Sequence, residues 1–555
     1  MTPGPTPPRA QRSRAALTLG LLAGFAFSVF AVLWLLDYFV VDVSHHPRGP
    51  VGQLFDFDPE TMQNALGSLA QVIAAVLGIA ITVVSIVVQL AANRYTSRVT
   101  DMFFRDRTNL AVMGFFVVAC VEALWVSFGV RKDWVPQATI TASVVMATTS
   151  LLLLIPYFAY VFDFLDPEKV IARLGAQTLE SAAPHKRPAA PAGGDVAATA
   201  ERRQALAVSG LEQLAGIAMN ALAQKEKTIA SDATAALRTI LVDYLPEKQG
   251  LPPAWFGLSR ALRSHPDFVA MAPASLEELV RDRAWLEWIG LRQIREVFSE
   301  ALKTLPEMTH VVAIDTRYVG EAAIDARDRE VLALTIKFMN TYLRSSLNAR
   351  DVRTCYNVLH QYRQLAEAML RVPAGAAPWL QTALEDIAGH FKYYAQLAHG
   401  MGLGFVTEIA AYDLCALCEV ASDVAAPCHD RLLSIFLEID KEAETTAEER
   451  ALRGVRKAQA KLATFYLLRG HAAHARAIYQ DMAQESPERL RSIREEMLGI
   501  TSKQFWEVVD RGENFDYLDD ARKEKLREFF GQFESLAKLP ARERGGTGPF
   551  RVTGP

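Results

Sequence analysis

The chain has 555 residues, half of them hydrophobic and 22% charged, with a formal net charge of −4. That length exceeds one ordinary domain, and the balanced charge speaks against a nucleic-acid-binding protein. Five cysteines in so long a chain do not make a disulfide framework.

The averages conceal a division. Long uncharged stretches lie almost wholly before residue 165, and most of the charge follows it. A hydrocarbon core needs roughly 20 apolar residues in helical form, and four segments satisfy that. The first is uncharged from Ala15 to Leu36, after Arg9, Arg12 and Arg14. Its length and the spans after it speak against a cleaved signal peptide. Gly20, Gly24 and Ser28 recur every four residues along it, a small-xxx-small packing pattern.

The second segment is uncharged from Thr61 to Asn93, longer than the bilayer requires. Gly67, Gln71, Ala74, Gly78, Thr82, Ser85 and Gln89 recur at spacings of four and three, which stacks them on one helix face. Two readings follow from this small and polar stripe. It packs against another helix, or several copies turn Gln71, Gly78, Thr82, Ser85 and Gln89 toward a shared permeation path.

The third segment runs from Asn109 to Val130 and carries Glu122, the one ionisable group well inside a span. A carboxylate there must face protein or water, as an ion-binding group or bonded to a neighbouring helix. The fourth is uncharged from Val135 to Phe162. The spans thus lie at about 15–40, 64–93, 109–130 and 136–163.

Lys and Arg in short loops set orientation. Arg94, Arg98, Arg105 and Arg107 follow the second span, whereas the first outer loop has Arg48 among several acidic residues. Both termini are therefore expected in the cytoplasm. The four arginines are placed to meet anionic lipid headgroups, with Asp101 and Asp106 pairing with some of them.

Gln89, Leu90, Ala91, Tyr95 and Arg98, together with the loop Phe103-Phe104-Arg105-Asp106-Arg107, carry a family resemblance. From Ile81 to Val126 the sequence resembles the bacterial predicted membrane proteins of domain of unknown function 2254. The resemblance implies a multi-pass protein of the bacterial inner membrane and no established reaction. Beyond Leu165 little of the family's usual soluble region is evident.

The remainder reads as a juxtamembrane segment and Ala/Pro/Gly-rich linker at 166–203, a helical domain at 204–540 and a disordered tail at 541–555. Leu332, Ile336, Met339 and Leu343 mark one apolar helix face, and no strand alternation competes. Leu462, Ala463, Tyr466, Gly470, Ala475, Tyr479 and Pro487 fall where a tetratricopeptide repeat places its packing residues, with Pro487 closing the second helix. No second repeat of equal quality is present, so a full solenoid does not follow, and the reading is a helical hairpin inside an α-solenoid-like domain. The fold class is all-α: a four-helix transmembrane domain, then a cytoplasmic helical domain with a tetratricopeptide-like hairpin.

Signals for chemistry are few. Cys415, Cys418, Cys428 and His429 approach zinc-like spacing, but the small apolar residues around them suit core thiols. His45 and His46 are loop residues, and Gly400, Gly402 and Gly404 follow no strand and read as an interhelical turn. No P-loop, H-E-x-x-H or G-x-S-x-G motif occurs. The expectation is a non-enzymatic membrane protein without cofactors, embedded in the lipid bilayer, forming homo-oligomers and binding a cytoplasmic protein. The alternative is an oligomeric ion channel or transporter, lined by the second span and gated by the helical domain.

Overall fold

In the computed structural model the described residues are 59–94, 103, 106–130, 137–183, 196–440, 446–505, 510–512 and 514–533, with Ser28 and Val32. No β-strand occurs among them. They divide into two units, one ending at Leu174 and the other beginning at Gly175.

The first unit holds α1 (Pro59–Arg94), α2 (Arg107–Gly129) and α3 (Gln137–Phe164), each long and apolar enough to cross a bilayer. The first predicted span, with Gly20 and Gly24, lies outside the described residues; Ser28 is helical and exposed. The three helices pack on one another through Ala70, Ile73, Ala119, Ala123 and Ala147. Four alanines at the crossing allow close backbone approach, which is what drives association in lipid, where apolar side chains gain nothing from leaving water. Outward residues are large and apolar: Trp125 and Phe128 are 74% and 81% exposed.

A fourth helix, within Ala198–Ala223, also meets the length and composition of a span, but most of its window is buried. It belongs to the core of the second unit, against the helices that follow it in the stack described next.

After α4 (Pro167–Ala182), whose end enters the second unit, come α5 (Val196–Ala223), α6 (Lys227–Glu247), short turns across 248–269, and α7 (Pro273–Arg281). Then follow α8 (Trp285–Thr304), α9 (Met308–Asp325), α10 (Arg329–Asn348), α11 (Val352–Leu370), α12 (Trp379–Gly400) and α13 (Gly404–Asp423). The unit ends with α14 (His429–Leu437), α15 (Thr446–Arg469), α16 (Ala472–Met482), α17 (Pro487–Gly499) and α18 (Asp520–Gly531). The stretch read as a linker gives its ends to helices, since α4 runs to Ala182 and α5 starts at Val196.

These helices stack in two layers. In one, α6, α9, α11, α13 and α15 follow side by side; in the other, α5, α8, α10, α12 and α14 do so. Successive hairpins from α5 to α15 therefore build a solenoid-like stack, as the reading of a helical hairpin inside an α-solenoid-like domain expected, and α16 and α18 pack on α15. Each helix pair buries an apolar face that it cannot bury alone. Close approach is specific in places: a Cβ at Gly290 would sit 2.6 Å from Leu241 Cδ2, joining α8 tightly to α6.

The hairpin turns share one geometry. At Arg327 the chain takes φ 54°, its N–H reaches Ile324 O at 3.0 Å, and the N–H of Asp328 reaches Ala323 O at 2.9 Å. Lys225, Arg283, Arg350 and Ala425 repeat this left-handed stop, as do Gly402 and Gly470. Such a stop satisfies the last helical carbonyls. Asp328 and Asp351 then cap the next helices, accepting from Val331 N at 3.1 Å and Thr354 N at 2.9 Å.

The predicted hairpin is present as α15–Gly470–α16, with Ala475 and Tyr466 buried. Pro487 is a correction. It does not close α16, which stops at Met482; it is the first residue of α17, behind the Ser486 cap. A missing N–H costs nothing at that position.

Buried ion pairs tie the final segment to the stack. Arg511 donates to Asp413 at 2.7 Å and to Tyr356 O, and Arg363 also meets Asp413. Arg522 forks onto Glu419 at 2.9 and 3.0 Å. Arg456 holds Asp440, Asp481 and Glu485, all within 2.7 Å.

Candidate functional site in the membrane helices

Polar side chains inside a bilayer need partners, so their bonds mark what the helices must hold in place. At the start of α2 the loop motif resolves into a cap. Asp106 has extended backbone, and its carboxylate accepts from Thr108 N at 2.8 Å and Asn109 N at 3.4 Å. The Tyr160 hydroxyl of α3 donates to the same carboxylate. Asp106, expected to pair with arginines, is thus engaged by the helix terminus and a tyrosine. A carboxylate at a helix N-terminus meets unpaired N–H groups and the positive end of the dipole.

One turn on, buried Asn109 accepts from Tyr157 of α3 at 2.7 Å. Phe103 is fully buried and meets the Phe164 ring edge-on at 5.3 Å, and the Arg173 guanidinium lies 4.0 Å over Phe164. Phe103, the start of α2 and the end of α3 are therefore one bonded assembly. Sequence reasoning missed the pairing of Asn109 with Tyr157 and of Asp106 with Tyr160. The signal for the cap was legible as Asp-x-Thr before an apolar run; the tyrosines lie 48 and 54 residues from their partners.

Glu122 lies toward the opposite end of α2. Its Oε2 accepts from Ser143 Oγ of α3 at 2.7 Å, and Ser143 is buried and bonds back to Thr139 O. Residue types alone did not single out Ser143.

The stripe on α1 points elsewhere. The buried face of α1 is Leu66, Ala70, Ile73, Val76, Ala80, Val84 and Val88. Gln71, Ala74, Gly78, Thr82, Ser85 and Gln89 are all exposed, and Gly67 is half-buried. A Cβ at Gly67 or Gly78 would meet nothing within 4 Å. Thr82 Oγ1 donates back to Gly78 O at 2.8 Å, within the helix. The face of α1 that packs against α2 and α3 is apolar, and the small and polar face is turned away from them.

Other expected residues scatter. Arg107 is exposed in the first turn of α2 and Arg94 ends α1, while Arg98 and Arg105 lie outside the described residues, as do His45 and His46. In the second unit Cys415 and Cys418 are buried within α13, and Cys428 is buried beside His429. Burial raises all three thiols above the ordinary thiol range, Cys428 to about 11, and holds them protonated. Gly402, at φ 71°, makes the turn between α12 and α13.

Residues 13–247 match the family DUF2254, described as a predicted membrane protein. The match contains the Ile81–Val126 stretch and continues past Leu165 into α6. No curated protein matches. A solved circular tandem repeat protein with novel repeat topology and enhanced subunit contact surfaces is similar at 13% identity and a TM-score of 0.31. That likeness covers 87% of this chain and 97% of the other.

Proposed function

We propose that this chain, a membrane protein of uncharacterised function by its DUF2254 region, assembles with itself in the bacterial inner membrane. The contact runs along the outward stripe of α1, and the helical lobe is a cytoplasmic platform for a protein partner. One observation carries the reading: Gln71, Gly78, Thr82, Ser85 and Gln89 all lie on the exposed face of a helix whose opposite face is already packed. Small residues there let a second backbone approach, and Thr, Ser and Gln bond across the contact. The arginines after α1 favour the orientation with both termini inside. Stacked helical hairpins are a common platform for protein binding, which supports the partner role.

A second reading rests on the chemistry of the same stripe. Gln71, Ser85 and Gln89 are polar and exposed, so several copies around an axis would present them to a water-filled path. Cysteine placed at Ser85 separates the two. Under self-assembly it is shielded from a membrane-impermeant thiol reagent, and liposomes show no ion flux. Rapid labelling, with flux that Gln89→Leu abolishes, replaces assembly by conduction.

A further inference from the structure

Away from the membrane helices, a group of donor side chains converges from separate helices of the lobe. His429 opens α14 and is followed by Asp430; His474 lies in the first turn of α16. One donor atom from each lies within 4.8 Å of the other two. Asp430 Oδ1 is 2.8 Å from His474 Nε2 and 3.8 Å from His429 Nδ1. Ligands about 2 Å from a tetrahedral Zn²⁺ stand about 3.3 Å apart, so an ion would part Asp430 from His474 slightly and draw in donors that now lie within 4.8 Å of one another. Sequence spacing grouped His429 with three cysteines; the fold places it beside a carboxylate and a second imidazole instead.

The surroundings match those of a metal-ligating histidine. The second ring nitrogen of His429, Nε2, is 2.7 Å from the Tyr466 hydroxyl of α15, which fixes the ring and leaves Nδ1 toward Asp430. Such outer partners orient ligating imidazoles.

We propose that His429, Asp430 and His474 form a site for a Zn²⁺-class transition-metal ion that clips α14 to the α15–α16 hairpin. Two imidazoles and one carboxylate suit Zn²⁺ and its neighbours better than Mg²⁺ or Ca²⁺. The Asp430 side chain is 85% exposed, so the remaining position opens to water and the ion exchanges with solution. A proton is the competing occupant, since His474 Nε2–H donating to Asp430 satisfies the same pair.

The test uses the full-length protein in detergent, without a polyhistidine tag and stripped by chelator. Co²⁺ is titrated in and read by its visible absorption, then displaced with Zn²⁺. The expected result is one saturable equivalent with a tetrahedral spectrum that Zn²⁺ removes. Asp430→Asn and His474→Gln each weaken binding at least about tenfold, and Cys415→Ser leaves it unchanged. Asp430 is exposed, so Asp430→Asn reports on ligation with the fold intact, as circular dichroism verifies. The proposal is overturned by absence of saturable Co²⁺ binding, by binding that both ligand variants retain, or by binding that Cys415→Ser abolishes.

Discussion

The two units treat polar groups in opposite ways. In the lobe, charges are taken inside and matched: Arg511 with Asp413, Lys248 with Glu287 and Asp328, Arg456 with three carboxylates. In the membrane unit, the helices bury alanine and valine, hold a few polar bonds at their ends, and leave the longest small and polar face of α1 outward. Water would make that arrangement unremarkable. Against lipid it leaves a face that tail contact satisfies poorly, and so it marks a surface for another helix.

The comparison breaks first where a buried charge loses a partner. Arg511→Ala leaves Asp413 buried with Arg363 alone, and is expected to cost about 2–3 kcal/mol of lobe stability in denaturant unfolding. A loss below about 1 kcal/mol, the level of an exposed pair, shows that the strap does not hold the stack.

The next effect depends on pH. Burial, partly offset by Lys457, raises the Glu408 carboxyl of α13 to about 7. The folded lobe keeps that proton where the unfolded chain, near 4.5, has lost it. The unfolded state therefore binds fewer protons between those values, and stability falls as pH rises through the window. Glu408→Gln should unfold at a higher temperature than wild type at pH 8 and match it at pH 4, with a gain on the order of 2 kcal/mol. Equal melting at both pH values removes Glu408 as a source of pH dependence.

A smaller effect belongs to the membrane unit. Asp106→Ala removes the α2 cap and the acceptor of Tyr160, and should cost about 1–2 kcal/mol. Tyr160→Phe, which keeps the cap, should cost less. Equal losses show that the tyrosine bond outweighs the cap.

The units also differ in how far the sequence discloses them. Uncharged runs mark α1, α2 and α3, because lipid demands continuity and allows no substitute for it. The stripe on α1 is legible because 3.6-residue spacing survives without a partner. Most of the individual hairpins of the solenoid-like lobe are not, because five of their stops use Lys225, Arg283, Arg327, Arg350 and Ala425 where glycine would announce a turn. Only Gly402 and Gly470 signal theirs, and the hairpin at Gly470 is the one that spacing identified. The Asp106–Tyr160 and Asp430–His474 pairs are invisible for a different reason: each joins residues 54 and 44 positions apart that no local pattern links.

The outward stripe is tested most directly by oxidative cross-linking in native membranes. Ser85→Cys should form an intermolecular disulfide joining two chains, and Val84→Cys, on the packed face and 4% exposed in the native chain, should not. If Ser85→Cys remains monomeric under oxidation while a cysteine on the packed face cross-links, the assembly face has been assigned to the wrong side of α1.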